Sequence, residues 1–338
     1  MTFTELRVGV VGAGAMGRDH LRRLHRVVAG ARVTAVIEPD TARRAAALDS
    51  TPGAAGYPDL AAALAAGGLD AVLLASPGPR HEDDLLRCLA ARLPVLCEKP
   101  LCPDAAAARR VVDAELAGGR RLIQVGFMRR FDPEYAALRE LIARGGAGEL
   151  LMLHAVHRNP SVPAGYRQSM LITDSVVHEF DVLPWLAGAP VTSIEVRYGR
   201  RNPHAPEHLR EPILVLIELA GGVLADVEMS VSAGFGYQVT TEAVLSRGVA
   251  RIGAPAGLRV WAEGASSIAE HRDYTTRFAA AYDREVQDWI TAVRAGGATG
   301  PSAWDGYRAA LCCEAGVSAL ESPGPVPVDI PPTPDLYR

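Results

Sequence analysis

The sequence predicts an α/β doubly wound parallel sheet followed by an α+β domain built on a large, mostly antiparallel sheet with one open face. Three observations predict it. The first 125 residues alternate short apolar runs with helical stretches, a glycine-rich turn joins the first run to the first helix, and the middle of the chain carries strand after strand with few helices.

The early runs are LRVGVV (6–11), RVTAVI (32–37), DAVLLAS (70–76), PVLCE (94–98) and RLIQVG (121–126). None alternates apolar with polar residues, which describes strands buried on both faces of a parallel sheet. Stretches such as AMGRDHLRRLHRVVA and PDAAAARRVVDAELA supply the crossover helices, and right-handed crossovers wind such a sheet on both sides. Residues 1–125 form this first domain, and 126–338 the second.

After a helix over 132–144 the texture changes. LLMLHAVHRN, VTSIEVRYG, ILVLIELA, VLADVEMSV, GYQVTTEAVLS, GVARIG and LRVWAE read as strands. Gly221 and Gly222 between two of them mark a tight hairpin. Val223, Ala225, Val227, Met229 and Val231 alternate with Asp226, Glu228 and Ser230, the period of two of a sheet with one apolar and one mixed face. An open sheet of this size is a natural surface for self-association. In FAAAYDREVQDWITAVRAG, Phe278, Ala281, Tyr282, Glu285, Trp289 and Val293 recur at helical steps. A helical stretch over 304–322 is a candidate to pack back on the first domain, and the Pro-rich tail is extended.

Composition bounds the function. At 338 residues the chain predicts about two domains, and 49% apolar with 22% charged residues is ordinary for a globular protein. A net charge of −4 gives no basic footprint for nucleic acid. No apolar stretch reaches the ~18–20 residues of a membrane span. The start runs directly into a strand pattern rather than a secretory signal, which points to the cytoplasm. The five cysteines lack metal-ligand spacing and read as buried, reduced thiols, with no metal centre.

VGVVGAGAMGRDH places Gly12, Gly14 and Gly17 directly after a strand and at the opening of a helix, with Ala15 and Met16 between them. In that context the spacing is a dinucleotide-binding turn. Glu38 stands about 20 positions on, where an acid binds the adenosine ribose hydroxyls. Its charge favours NAD over NADP, while Arg43 and Arg44 keep NADP in play. The bland alternative is an ordinary glycine turn beside a solvated glutamate.

Lys99 is the only lysine in a chain that otherwise uses arginine. It follows the PVLCE strand at its carboxyl end, where ligands bind in doubly wound sheets, and Pro100 keeps it out of helical geometry. A compact ammonium there can stabilise a developing alkoxide. In ITDSVVHEFDVLPWL, Asp174 and His178 stand one helical turn apart, where a carboxylate can orient an imidazole that takes a proton. Asp181 could extend the same face. Alone, Asp174 reads as a helix cap and His178 as a core histidine.

GAGAMGRDH, CEKP, QVGFMRRFDPEY, HRNPS, DSVVHEFDVLPWL, RFAAAYDREVQDWI and GPSAWDGYRAAL run in order from about residue 6 to about 320. Together they resemble the glucose–fructose oxidoreductase/inositol dehydrogenase (Gfo/Idh/MocA) family, most closely its bacterial inositol dehydrogenase branch. GAGAMGRDH and CEKP are shared by the whole superfamily, whereas QVGFMRRFDP, HRNPS and the Asp174–His178 helix are much more specific to the cyclitol branch. The resemblance implies NAD-dependent oxidation of an axial ring hydroxyl to a ketone, myo-inositol to scyllo-inosose. It makes Lys99, Asp174 and His178 the catalytic set and the Lys99–Pro100 bond a candidate cis bond. Arg129, His157 and Asn159 would hold the polyol, with Tyr237 and Tyr282 as further candidates. Ser76, Pro77, His81, Glu98 and Lys99 complete the cofactor-binding candidates. The resemblance also implies a homotetramer. A dehydrogenase of another cyclitol or sugar could share every catalytic motif and act on a different ring. A non-catalytic NAD-sensing regulator would have no need of the Lys99/Asp174/His178 set. Many relatives carry Asp where this chain has Glu38, and RRNPHAPEHLREP (200–212) does not choose a substrate.

Overall fold

Strand β1 (Leu6–Val11) is the centre of a six-stranded, wholly parallel sheet in the order β3-β2-β1-β4-β5-β6. The structure, a computed structural model, describes residues 5–255 and 258–338. The other strands are β2 (Ala31–Ile37), β3 (Ala55–Tyr57), β4 (Ala71–Leu74), β5 (Val95–Glu98) and β6 (Ile123–Gly126). The unbroken apolar runs are the reason β4, β5 and β6 are buried along their whole length. Only β3 was not foreseen.

Helices α1 (Ala15–Arg26), α2 (Thr41–Asp49), α3 (Leu60–Ala66), α4 (His81–Ala90) and α5 (Ala105–Gly118) make the crossovers. Asp40, Asp59 and Asp104 cap α2, α3 and α5 by accepting from a backbone N–H in the first turn. The strand order reverses between β1 and β4, which opens a crevice at their carboxyl ends.

The compact unit around this sheet runs to Met128 and also takes residues 282–310 and 332–338. A division at 125/126 omits that return. Its physical basis is the apolar face of α9 (Ala279–Arg294). Val286, Trp289 and Ile290 lie in one buried cluster with Val8, Val10, Leu21 and Leu24. The helical stretch expected over 304–322 is α10 (Ala303–Ala319); it belongs to the first unit through Ala310 and to the second from Leu311.

The second unit, 129–281 with 311–331, is built on a seven-stranded sheet. Its strands are β7 (Leu150–Arg158), β8 (Val191–Tyr198), β9 (Ile213–Leu219), β10 (Leu224–Ser230), β11 (Gln238–Leu245), β12 (Gly248–Ile252) and β15 (Val326–Pro327), the last being all of the tail that pairs. Every pairing is antiparallel except β7 with β10. The β9–β10 hairpin turns at Gly221 and Gly222, whose φ of +87° and +89° only glycine adopts freely. Ala225, Val227 and Met229 are buried while Asp226 and Glu228 face outward, as the alternation requires. Helices α6 (Pro133–Arg144) and α7 (Val177–Ala187) cover one face. On the other face Leu151 and Leu214 are exposed among the ion pairs His154–Asp226 and Arg158–Glu228. A separate ribbon of β13 (Arg259–Ala262) and β14 (Ala265–Ile268), then α8 (Tyr274–Arg277), complete the unit.

Candidate active site

The turn after β1 is shaped by what its glycines lack. Gly12 has φ of +91°, and a Cβ there would meet the Ala75 carbonyl oxygen at 2.6 Å. A Cβ on Gly17 would lie 1.9 Å from the Gly12 oxygen, so the helix can approach the strand only without one. A Cβ on Gly14 would meet nothing within 4 Å; it faces open space. Helix α1 starts there with no side-chain cap and no acid in its first turn, leaving its N–H groups and positive dipole end to an anion. The turn borders a cavity of about 950 Å³, lined in part by Gly12, Gly14, Ala15, Met16, Ser76 and Pro77. This cradle fits a dinucleotide.

Glu38 and Arg43 form another part of the wall. The Glu38 carboxylate accepts from Ala13 N (2.9 Å), Asp40 N (3.1 Å) and the Arg43 guanidinium (2.8 Å). Burial opposes its ionisation, but the hydrogen bonds from Arg43, Ala13 and Asp40 outweigh burial and hold it below the usual carboxylate range. Arg43 is thereby neutralised, and Arg44 donates to the Glu38 carbonyl. The two arginines that kept a 2′-phosphate in play are tied to the acid that repels one.

Beyond the cavity wall, β5 delivers Glu98, half-buried Lys99 and Pro100, and the Lys99–Pro100 bond is cis. Glu98 and His81 do not line the cavity. Glu98 turns inward and accepts from His20 Nε2 (2.7 Å). The His81 ring is wholly enclosed, with Nδ1 2.8 Å from the Pro100 oxygen and Nε2 2.7 Å from the Ser76 oxygen. Tyr282 belongs to this same unit, edge-on to His20 and under the Arg23 guanidinium.

In the second unit Asp174 and His178 do not begin one regular α-helix. Leu171–Val176 is a π-helical turn that leads into α7, so Asp174 sits on a wider turn than the expected helix and His178 on the first α-helical one. Single π turns are often retained at functional sites. This one is anchored by Tyr166, whose hydroxyl donates to the Met170 oxygen (2.6 Å) and meets Ser175 Oγ at 2.7 Å. Asn159 Nδ2 reaches the same Ser175 hydroxyl at 3.4 Å. Both Asp174 and His178 remain half-buried. Asp181 does not extend their face; it is buried in a bidentate pair with Arg130.

The His157 ring lies 6.3 Å from His178 and 6.0 Å, edge-on, from Tyr237. Arg129, expected at the polyol, is 1% exposed and ion-paired with Glu179, and its guanidinium lies 3.1 Å from His157 Nδ1. Glu179 is also 3.2 Å from that nitrogen. Burial alone would raise the Glu179 carboxyl; Arg129 and His157 reverse this and hold it well below its ordinary range. Burial raises Tyr237, which stays a neutral phenol. The result is a layer of fixed donors and acceptors around His157 and His178, the recognition chemistry a polyol needs. Glu179, Tyr166 and Ser175 were missed. The signal for Glu179 was a second acid inside an otherwise apolar helix.

Among the described residues no group of three or more His, Cys, Asp or Glu is placed to hold a metal ion. The cysteines are buried, and burial pushes the Cys88 and Cys102 thiols up to about 12, so they stay protonated.

Residues 6–127 match the model of the oxidoreductase family with an NAD-binding Rossmann fold, and residues 135–251 match the GFO/IDH/MocA C-terminal domain. An inositol 2-dehydrogenase of Leifsonia xyli is 63% identical over 96% of both chains, and one of Corynebacterium glutamicum is 57% identical over 98% of both. The crystal structure of myo-inositol dehydrogenase from Lactobacillus casei, in complex with NAD(H) and myo-inositol, superposes with a TM-score of 0.96 at 35% identity. It covers 99% of this chain and 100% of its own. The chain belongs to the Gfo/Idh/MocA oxidoreductase family.

Proposed function

We propose that the protein is an NAD-dependent inositol 2-dehydrogenase that oxidises a ring hydroxyl of myo-inositol to the ketone scyllo-inosose. The observation that carries this reading is the 63% identity, over nearly the whole chain, to the Leifsonia xyli inositol 2-dehydrogenase. Gly12, Gly14, Ala15, Met16, Ser76 and Pro77 would hold the dinucleotide, and the charged Glu38 disfavours a 2′-phosphate in the same cavity. Bound NAD supplies the hydride acceptor.

The chain's own residues supply the rest. Lys99 stabilises negative charge on the reacting oxygen as its C–H bond breaks. His178 accepts the hydroxyl proton, and Asp174 orients the imidazole and offsets its positive charge. Asn159, His157 and Tyr237 bind the other hydroxyls, while Arg129 acts behind His157. The test is purified protein with NAD or NADP and a panel of cyclitols and aldoses, following nicotinamide reduction. The expected result is the highest kcat/KM with NAD and myo-inositol. A higher kcat/KM for another cyclitol or an aldose would replace this substrate, and no reduction with any polyol would sink the enzyme reading.

The outward face of the seven-stranded sheet supports assembly as a homotetramer in the cytoplasm, whose reducing poise suits five buried thiols. Light scattering after size-exclusion chromatography is expected to return four times the chain mass of 35.8 kDa. A monomeric mass at micromolar concentration would contradict the assembly.

A further inference from the structure

We propose that two buried histidines, His20 and His81, are positioning residues that set Lys99 by gripping the residues on either side of it. The proposal rests on the reading that Lys99 takes part in the reaction. His20 stands on α1 and His81 opens α4, and neither ring is exposed. His20 Nε2–H donates to Glu98 Oε1 at 2.7 Å, which fixes the residue before Lys99. His81 lies 2.8 Å from the Pro100 oxygen, which fixes the residue after it.

The second nitrogen of His81 lies 2.7 Å from the Ser76 carbonyl oxygen; a neutral ring donates to one of the two carbonyls and an imidazolium to both, and in either state one rigid ring packs between the loops that leave two adjacent strands. Ser76 and Pro77 line the dinucleotide cavity, and a Cβ on Gly78 would come within 3.3 Å of Pro100. Helix α1, which carries His20, begins at the glycine turn on the other side of that cavity. Two of the helices at the cofactor cavity, α1 and α4, thus each hold one neighbour of Lys99. A buried carbonyl can be satisfied by many donors; a ring that bridges two carbonyls also fixes their separation. Misplacement of a reacting group by about 1 Å can cost as much as ~100-fold in rate. The grip thus registers the ammonium against the bound cofactor.

The test uses His20→Phe and His81→Phe, which keep a ring and remove the donors, with His20→Gln restoring one N–H toward Glu98. In the full-length enzyme each Phe variant is expected to lower kcat at least about tenfold, while the equilibrium Kd for NAD moves less than about threefold. His20→Gln is expected to recover most of the loss. In a Lys99→Met background the same Phe substitutions are expected to change residual turnover by less than about twofold, because residues acting through one group are non-additive. An unchanged kcat in the folded variants, or the full loss repeated without Lys99, overturns the proposal.

A second readout does not need turnover. Reductive methylation with ¹³C-formaldehyde labels Lys99, the one lysine in the chain, and its dimethylamine resonance is expected to shift in the Phe variants or, where these do not fold, in His20→Ala and His81→Ala, and to return toward the wild-type position in His20→Gln. An unshifted resonance overturns the grip. If the wild-type enzyme oxidises no polyol but the resonance shifts, the substrate reading fails and the positioning of Lys99 stands.

Discussion

Lys99→Arg is expected to lower kcat with myo-inositol by about 100- to 1,000-fold, the usual cost of losing one preorganised donor to a developing oxyanion. The Kd for NAD is expected to stay within about threefold, because Lys99 does not line the cavity that the glycine turn borders. Charge is conserved in this substitution, so the loss isolates shape and donor geometry. Arginine carries its charge on a longer planar fork, and the Lys99 backbone is already held at Glu98 and Pro100, so the fork cannot be withdrawn to put one nitrogen where the ammonium was. Lys99→Met, similar in length and uncharged, is expected to lose at least as much. Turnover and fluorescence titration with NAD separate the two quantities. Near-normal kcat in Lys99→Arg would mean that the position needs only a positive charge.

The parallel sheet is legible in the sequence because strands buried on both faces have to be apolar throughout, and glycine or a capping Asp brackets the helices that follow. The strand β3 is not, since AGY is two exposed residues and one half-buried tyrosine at a sheet edge and carries no pattern. An amphipathic helix announces an apolar face but not the surface it covers. That is why α9 was legible as a helix, while the place of Val286, Trp289 and Ile290 in the core of the first unit was not.

The site follows the same division. Glycines at 12 and 17 are dictated by local backbone geometry, so their spacing identifies the turn. The π turn at Leu171–Val176 is imposed by Tyr166 and Ser175 meeting across a loop, and ITDSVVHEF fits an α-helical period equally well. Arg129 in FMRRF looks like any surface arginine until tertiary structure places Glu179 against it.

Arg129→Met is expected to destabilise the second unit by about 3–5 kcal/mol, the cost of leaving a buried charge without its partner. Arg129 and Glu179 are both 1% exposed, so water cannot replace the lost guanidinium. Replacing both, as Arg129→Met with Glu179→Leu, is expected to recover much of the loss, because apolar residues of similar volume often substitute for a buried pair at little cost. The pH dependence separates this from a packing defect. In the wild type the folded Glu179 pKa lies below its unfolded value of about 4.3, so the stabilisation is present above that pH and is lost as pH falls through the folded pKa. In Arg129→Met the sign reverses. Burial then dominates and raises the Glu179 carboxyl, with His157 Nδ1 3.2 Å away as a hydrogen-bonding neighbour. Lowering the pH from about 7.5 toward about 5 protonates the raised carboxyl and relieves the unpaired charge. The stability gap between variant and wild type, measured by urea unfolding across that window, is expected to narrow as pH falls. A gap that stays constant would assign the loss to the missing side-chain volume, and the ion pair would then contribute nothing of its own.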